Sequence, residues 1–215
     1  MNAGRFFIAR HGETVFNAAG RMQGDAAHTP LTRAGFAQAE RMGLALREQL
    51  GAAPRIALWA SPAGRALQTL AIVAEHLELD WHAARTDARL GEMGMGAWGG
   101  RYYPDIVEEA GPIFDPGTLL FTRRADDGEW YDGVAFRLRL WIADHASEAG
   151  DRLIVMHGIS SRVLRGLLTG AADRPECGAP AADAPPQGAV VCISNGIESV
   201  IHCDTSQASR NAALA

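Results

Sequence analysis

The sequence predicts an α/β protein, a three-layer α/β/α sandwich around a mostly parallel central sheet. Three observations carry this. Short apolar runs alternate along the chain with longer segments of helical period. Two of those runs, at residues 6–9 and 153–156, are apolar without alternation, as befits strands covered on both faces. Both are followed within two residues by His-Gly, at His11-Gly12 and His157-Gly158, so parallel pairing would bring two imidazoles out at one sheet edge.

Taken in order, strands are expected at residues 5–9, 55–60, 152–156, 189–194 and 197–202. Thr32 suits the cap of a helix reaching Leu50, with Phe36, Ala39, Gly43, Leu46 and Leu50 on its inner face. Ser61-Pro62 reads as a helix start, serine capping and proline in the first position. Leu67, Leu70, Ala71, Ala74 and Leu77 then form the buried stripe. A third helix is expected over 133–147, turning Val134, Leu138, Trp141, Ile142 and His145 inward. A fourth follows His157, with Ile159, Val163, Leu167 and Leu168 inward. Residues 94–128 show weak periodicity and several Gly and Pro, and read as an excursion with one short helix near 104–110. Residues 175–188 read as a loop. One domain over 1–205 and a flexible tail over 206–215 are expected.

Composition narrows the class. A chain of 215 residues with 47% hydrophobic content can bury a substantial single core. A net charge of −5 without a basic block argues against nucleic acid as a partner. No apolar stretch approaches the ~20 residues of a membrane span, and the run at 6–9 is short of the ~7–15 of a signal peptide. No membrane partner and a cytoplasmic location are therefore expected. The three cysteines show no metal-ligand spacing and are expected as reduced thiols. A hairpin at Asn195-Gly196 would set Cys192 opposite Ser199 and keep it from Cys203. All 20 basic residues are arginines, so any anion clamp must come from Arg, His or backbone N–H groups.

Four features carry chemistry. Arg10-His11-Gly12 ends the first strand: a forked guanidinium for phosphate oxygens, a nucleophilic imidazole, and a glycine that lets an anion approach. Arg65 lies one turn into the helix after Ser61-Pro62 and should lean back to the same edge. His157-Gly158 repeats the strand–histidine arrangement. Glu92 stands in a glycine-rich, aromatic-flanked loop with Gly94, Gly96, Trp98 and Gly100, as a candidate proton donor. Glu13, Thr14, Asn17, Arg21, Gln23 and Gly24 follow His11 in a loop long enough to fold over a ligand, with Asn17 and Gln23 able to donate to its oxygens.

Together these blocks resemble the histidine phosphatase superfamily, phosphoglycerate mutase-like branch 1. The match runs through Arg10-His11-Gly12-Glu13-Thr14, Asn17, Arg21-Met22-Gln23-Gly24 and Pro30-Leu31-Thr32. It continues through Gly35, Gln38-Ala39, Ser61-Pro62, Arg65-Ala66, Gln68-Thr69, Leu90-x-Glu92, His157-Gly158 and Arg162. The resemblance implies a phosphoglycerate mutase-like fold and a metal-independent phosphomonoesterase without cofactor, acting on a small phosphorylated metabolite. His11 would be the nucleophile and Glu92 the acid, with Arg10, Arg65 and His157 around the phosphate oxygens. Asn17, Gln23, Gly24, Gly158 and Arg101 would complete the phosphate and substrate contacts, and Tyr102, Arg123 and Arg124 are candidate pocket residues. Gly91, Gly99 and Leu70 depart from the family pattern, the first two in the loop that presents Glu92. A cofactor-dependent phosphoglycerate mutase and a weakly catalytic phosphate-binding protein of the same fold are the alternatives. A homodimer is compatible with the sequence but not specified by it.

Overall fold

The computed structural model describes residues 4–184 and 187–203; the expected tail at 206–215 lies outside them. Among the described residues, strands β1 (Phe6–Arg10), β2 (Ile56–Ala60), β3 (Arg85–Thr86), β4 (Asp151–Met156), β5 (Val190–Ser194) and β6 (Ile197–His202) form one sheet. Its order is β3-β2-β4-β1-β5-β6. The pairs β1–β4, β2–β4 and β2–β3 are parallel, while β1–β5 and β5–β6 are antiparallel. The C-terminal hairpin thus lengthens the sheet. Its turn places Asn195 and Gly196 at φ 51° and 77°, the left-handed pair that a two-residue hairpin needs, and Cys192 faces Ser199.

The pleat divides the core. Phe7 and Ala9 of β1, Leu58 and Ala60 of β2, and Leu153 and Val155 of β4 face helices α2 (Arg33–Leu50) and α3 (Gly64–His76), after the one-turn α1 (Val15–Ala18). Ile8, Trp59, Ile154 and Met156 face the other way. They pack on α5 (Tyr131–Asp144) and α6 (Gly158–Thr169), with the short α4 (Tyr103–Ala110) inside the 94–128 excursion. No helix of the described residues is long and apolar enough to cross a membrane.

Several expectations need correction. The inner face of α2 is Gly35, Gln38, Ala39, Met42, Gly43 and Leu46, and Phe36 is 43% exposed. The face is rotated because Gly35 and Gln38 are needed against the loop after His11. The cap of α3 is Ala63, not Ser61. Ser61 donates its N–H to Val155 O (3.1 Å) at the sheet end, its Oγ accepts from Ala63 N–H (3.3 Å), and the helix begins at Gly64. The strand β3, only two exposed residues long, carries no apolar signal. Helix α5 begins at Tyr131 and ends at Asp144, with His145 as its C-cap rather than an interior position.

One close approach sets the site's position. A β-carbon on Gly35 would lie 2.1 Å from Glu13 O, and one on Gly12 would lie 2.4 Å from Gly35 O. Only glycine at both positions lets the loop after His11 lie directly on the first turn of α2. Alanine for a helical glycine ordinarily adds ~0.5–1 kcal/mol, whereas overpacking costs ~1–3 kcal/mol. Gly35→Ala is therefore expected to lower the urea midpoint; an unchanged or raised midpoint would show that the contact is slack.

Candidate active site

The pairing of β1 with β4 sets Arg10 opposite Met156, so His11 and His157 leave the sheet side by side. His11 N–H donates to Met156 O (3.0 Å), and the two rings meet edge to face with centroids 5.2 Å apart. The loop beyond His11 is then pinned to both helices of one face. Gly12 N–H donates to Thr69 Oγ1 (3.1 Å), whose hydroxyl donates to Arg65 O (2.8 Å). Glu13 N–H donates to Gln38 Oε1 (2.7 Å) and Leu31 N–H to Gln68 Oε1 (3.0 Å).

The histidines are held in opposite tautomers. His11 Nδ1 lies 2.7 Å from Gly12 O; a carbonyl only accepts, so Nδ1 carries the proton and Nε2 the lone pair. Arg65 Nε donates to His157 Nδ1 (3.2 Å); a guanidinium only donates, so the proton of neutral His157 sits on Nε2. Burial, then the charges of Arg65 and Arg10, push the His11 imidazole well below its usual range. Burial, Arg65 and His11 do the same to His157. Both rings are thus neutral near pH 7, one presenting a lone pair at Nε2 and the other an N–H. His157 Nε2 is buried and has no hydrogen-bond partner among the described residues, which suits it to an incoming oxygen anion.

The amides are oriented the same way. The Thr14 hydroxyl lies 2.9 Å from Asn17 Oδ1 and close against Gln23 Oε1. Asn17 Oδ1 also accepts from Thr14 N–H (3.1 Å) and from Gln187 Nε2 (2.6 Å). Both amide oxygens are occupied, which leaves the NH2 groups as donors; that of Gln23 lies 3.5 Å from His11 Nε2. The Arg10 guanidinium packs on Gly158, where a β-carbon would sit 3.5 Å from it. Burial lowers Arg10, and Glu92 partly offsets this. Arg65 donates to His157, Ala26 O, Thr29 Oγ1 and Gly24 O, so one of its five N–H groups is left over. Burial pushes its pKa down to about 10, still charged at neutrality.

Glu92 reaches the same place from the far side. Its Oε1 accepts from Met93 N–H (2.9 Å) and Ser160 N–H (2.9 Å), its Oε2 from Ile159 N–H (3.0 Å). It therefore caps α6, whose own N-cap, His157, supplies no side-chain cap. With Oε1 doubly engaged, Oε2 keeps the free lone pair. Glu92 and Arg65 open onto a cleft of about 460 Å³ whose walls include Asp25, Asp127, Glu129 and Arg137.

The structure therefore brings together Arg10, His11, Asn17, Gln23, Arg65, Glu92, His157 and Gly158. Gly24 also holds the arginine: its carbonyl accepts from Arg65 Nη2 (2.7 Å). Arg101 does not line the cleft; its guanidinium pairs with Glu109. Tyr102 stacks under Arg21, while Arg123 and Arg124 are exposed. Sequence reasoning missed the roles of Gln38, Gln68 and Thr69, although all three stand in the matched blocks. It also missed Gln187, which arrives from a loop with no motif.

Fold and site together place two histidines and two arginines at the carboxyl ends of two parallel strands. Residues 6–176 match the histidine phosphatase superfamily (branch 1), and the chain belongs to that family. It is 31% identical over 169 residues to the adenosylcobalamin/alpha-ribazole phosphatase of Salmonella typhimurium, covering 77% of this chain and 80% of that one. It is also 31% identical over 201 residues to the Caenorhabditis elegans 6-phosphofructo-2-kinase/fructose-2,6-bisphosphatase. That match takes in 93% of this chain but spans only 40% of the worm protein. Among solved structures it resembles a mycobacterial glucosyl-3-phosphoglycerate phosphatase complexed with VO3 (TM-score 0.74, 27% identity, 92% of this chain and 97% of that one).

Thr69→Val keeps the shape but strands the Gly12 N–H. It is expected to cost ~1–3 kcal/mol in denaturant unfolding, with Thr69→Ser recovering most of the loss. Equal stability of all three proteins would remove Thr69 from the frame of the site.

Proposed function

We propose that this chain is a phosphomonoester hydrolase that works through a phosphohistidine on His11 Nε2, with a small phosphorylated metabolite as substrate. The observation that carries the reading is the pair of opposite tautomers, a lone pair on His11 beside a proton on His157. The family and its phosphatase-named relatives support it.

In the first step the Nε2 lone pair of His11 attacks phosphorus, and the bond from phosphorus to the ester oxygen breaks. The leaving oxygen takes its proton from Glu92 Oε2, the oxygen with a free lone pair. Arg10, His157 Nε2–H, the amides of Asn17 and Gln23 and the remaining N–H of Arg65 receive the three phosphoryl oxygens, a charge-stabilising role suited to phosphoryl transfer. In the second step water attacks phosphorus and gives a proton to Glu92. The phosphorus–nitrogen bond breaks, returning the lone pair to His11 and releasing inorganic phosphate. The charge in this scheme comes from the chain's own arginine, histidine and amide groups.

In a phosphomonoester panel assayed in chelator, His11→Ala is expected to abolish phosphate release. Glu92→Gln should lower it roughly 10²–10⁴-fold and accumulate an acid-labile phosphoenzyme. Full activity of His11→Ala would end the proposal. Isomerisation of 3-phosphoglycerate outpacing hydrolysis would favour the mutase, and phosphate binding without turnover the binding-protein reading.

The pH profile gives a separate check. His11 must be neutral to attack, and its pKa lies below 6.5, so the nucleophile persists as pH falls through 6.5. After correction for the substrate's own ionisation, the acid limb of kcat/KM should lie below pH 6.5. A limb at or above 6.5 would mean a solvated imidazole.

A further inference from the structure

We infer that the site selects phosphomonoesters whose alcohol carries a cationic amine, and disfavours those whose alcohol carries a second anion. The inference rests on the phosphatase reading and names the substrate class of that same site. The cleft beside Glu92 has Arg65 on its wall, and Arg65 holds the fully buried His157, whose Nε2 lacks an acceptor among the described residues. That end is where the phosphoryl group belongs, so the rest of the cleft receives the alcohol.

The remaining charged wall is acidic. Asp25, Asp127 and Glu129 face two guanidinium groups, Arg65 and Arg137. Arg65 is committed to the phosphate end. Arg137 is closed by Glu129 through Nε to Oε1 (2.7 Å) and Nη2 to Oε2 (3.0 Å), and it also donates to Arg89 O and Glu92 O. Neither Asp25 nor Asp127 forms a salt bridge with a described residue, although the Asp25 charge acts on Arg65. Gly94 stands between Asp25 and Glu129: a β-carbon there would lie 3.6 Å from Asp25 Oδ2 and 3.7 Å from Glu129 Cβ. Asp25 and Asp127 are both exposed. An alcohol bearing a carboxylate or phosphate would meet like charge at Asp25 and Asp127, and an ammonium would meet opposite charge. Arg101, Arg123 and Arg124, the basic residues that might have reversed this balance, are not on the wall.

Three esters of equal length test it: 3-aminopropyl, 3-hydroxypropyl and 2-carboxyethyl phosphate, with p-nitrophenyl phosphate as a charge-neutral reference. The order of kcat/KM is expected to be amine, then hydroxyl, then carboxylate, with amine over carboxylate on the order of 100-fold at low salt. That ratio should shrink as salt rises. It should also fall roughly tenfold in the Asp25→Asn/Asp127→Asn double variant. Equal rates for the three esters, or a preference for the carboxylate, would overturn the inference while leaving the phosphatase. Turnover of p-nitrophenyl phosphate alone, lost in His11→Ala, would do the same. Turnover of none of the four would overturn both.

Discussion

The hydrogen bond from His11 Nδ1 to the carbonyl of Gly12, 2.7 Å long, is the constraint on which this site depends. Without it the imidazole could take either tautomer, and the Nε2–H form would present a proton where a lone pair is needed. The bond exists because Gly12 is held on both sides, the peptide that carries its carbonyl being tied through Glu13 N–H to Gln38 Oε1. The Gly12 N–H is spent on Thr69, and its α-carbon is pressed against the first turn of α2, where any side chain would collide. The fold contributes the rest: parallel pairing of β1 and β4 delivers the second histidine alongside the first. Arg65 then sets that ring the opposite way round.

Electrostatics follows from this frame. Two arginines, two histidines and no lysine stand around a buried point, yet both imidazoles are kept neutral by burial and by the arginine charges. The pocket is thus positively charged through its guanidinium groups alone, while the histidines keep the neutral forms that nucleophilic attack and hydrogen-bond donation require. Glu92 joins through the amides at the start of α6, so the same helix that follows His157 also aims the carboxyl group. The cleft beside Arg65 carries Asp25, Asp127 and Glu129 on its wall with Arg137.

Much of this was legible in the sequence because it depends on local signals. Unbroken apolar runs marked β1 and β4, the Asn195-Gly196 pair marked the hairpin, and Arg10, His11, Arg65, Glu92 and His157 stood at element ends where polar residues have no packing reason to be. What escaped depends on tertiary contact. Phe36 fitted the helical stripe as well as Met42 does, and only the docking of the loop on Gly35 and Gln38 rotates α2 to expose it. Ser61 looked like a cap, but its N–H is bonded at the sheet end and the helix begins at Gly64. Arg101 had the right charge, but Glu109 lies within its reach on α4 and holds it away. Gln187 reaches Asn17 across 170 positions of chain, a separation that no local pattern encodes.

The most direct measurement is the long-range ¹H–¹⁵N spectrum of the histidine rings at neutral pH, with His11 and His157 assigned by substitution. The expected result is two neutral rings of opposite tautomer, His11 protonated on Nδ1 and His157 on Nε2. Rings sharing one tautomer, or a charged His11 at pH 7, would contradict the arrangement from which the chemistry has been derived.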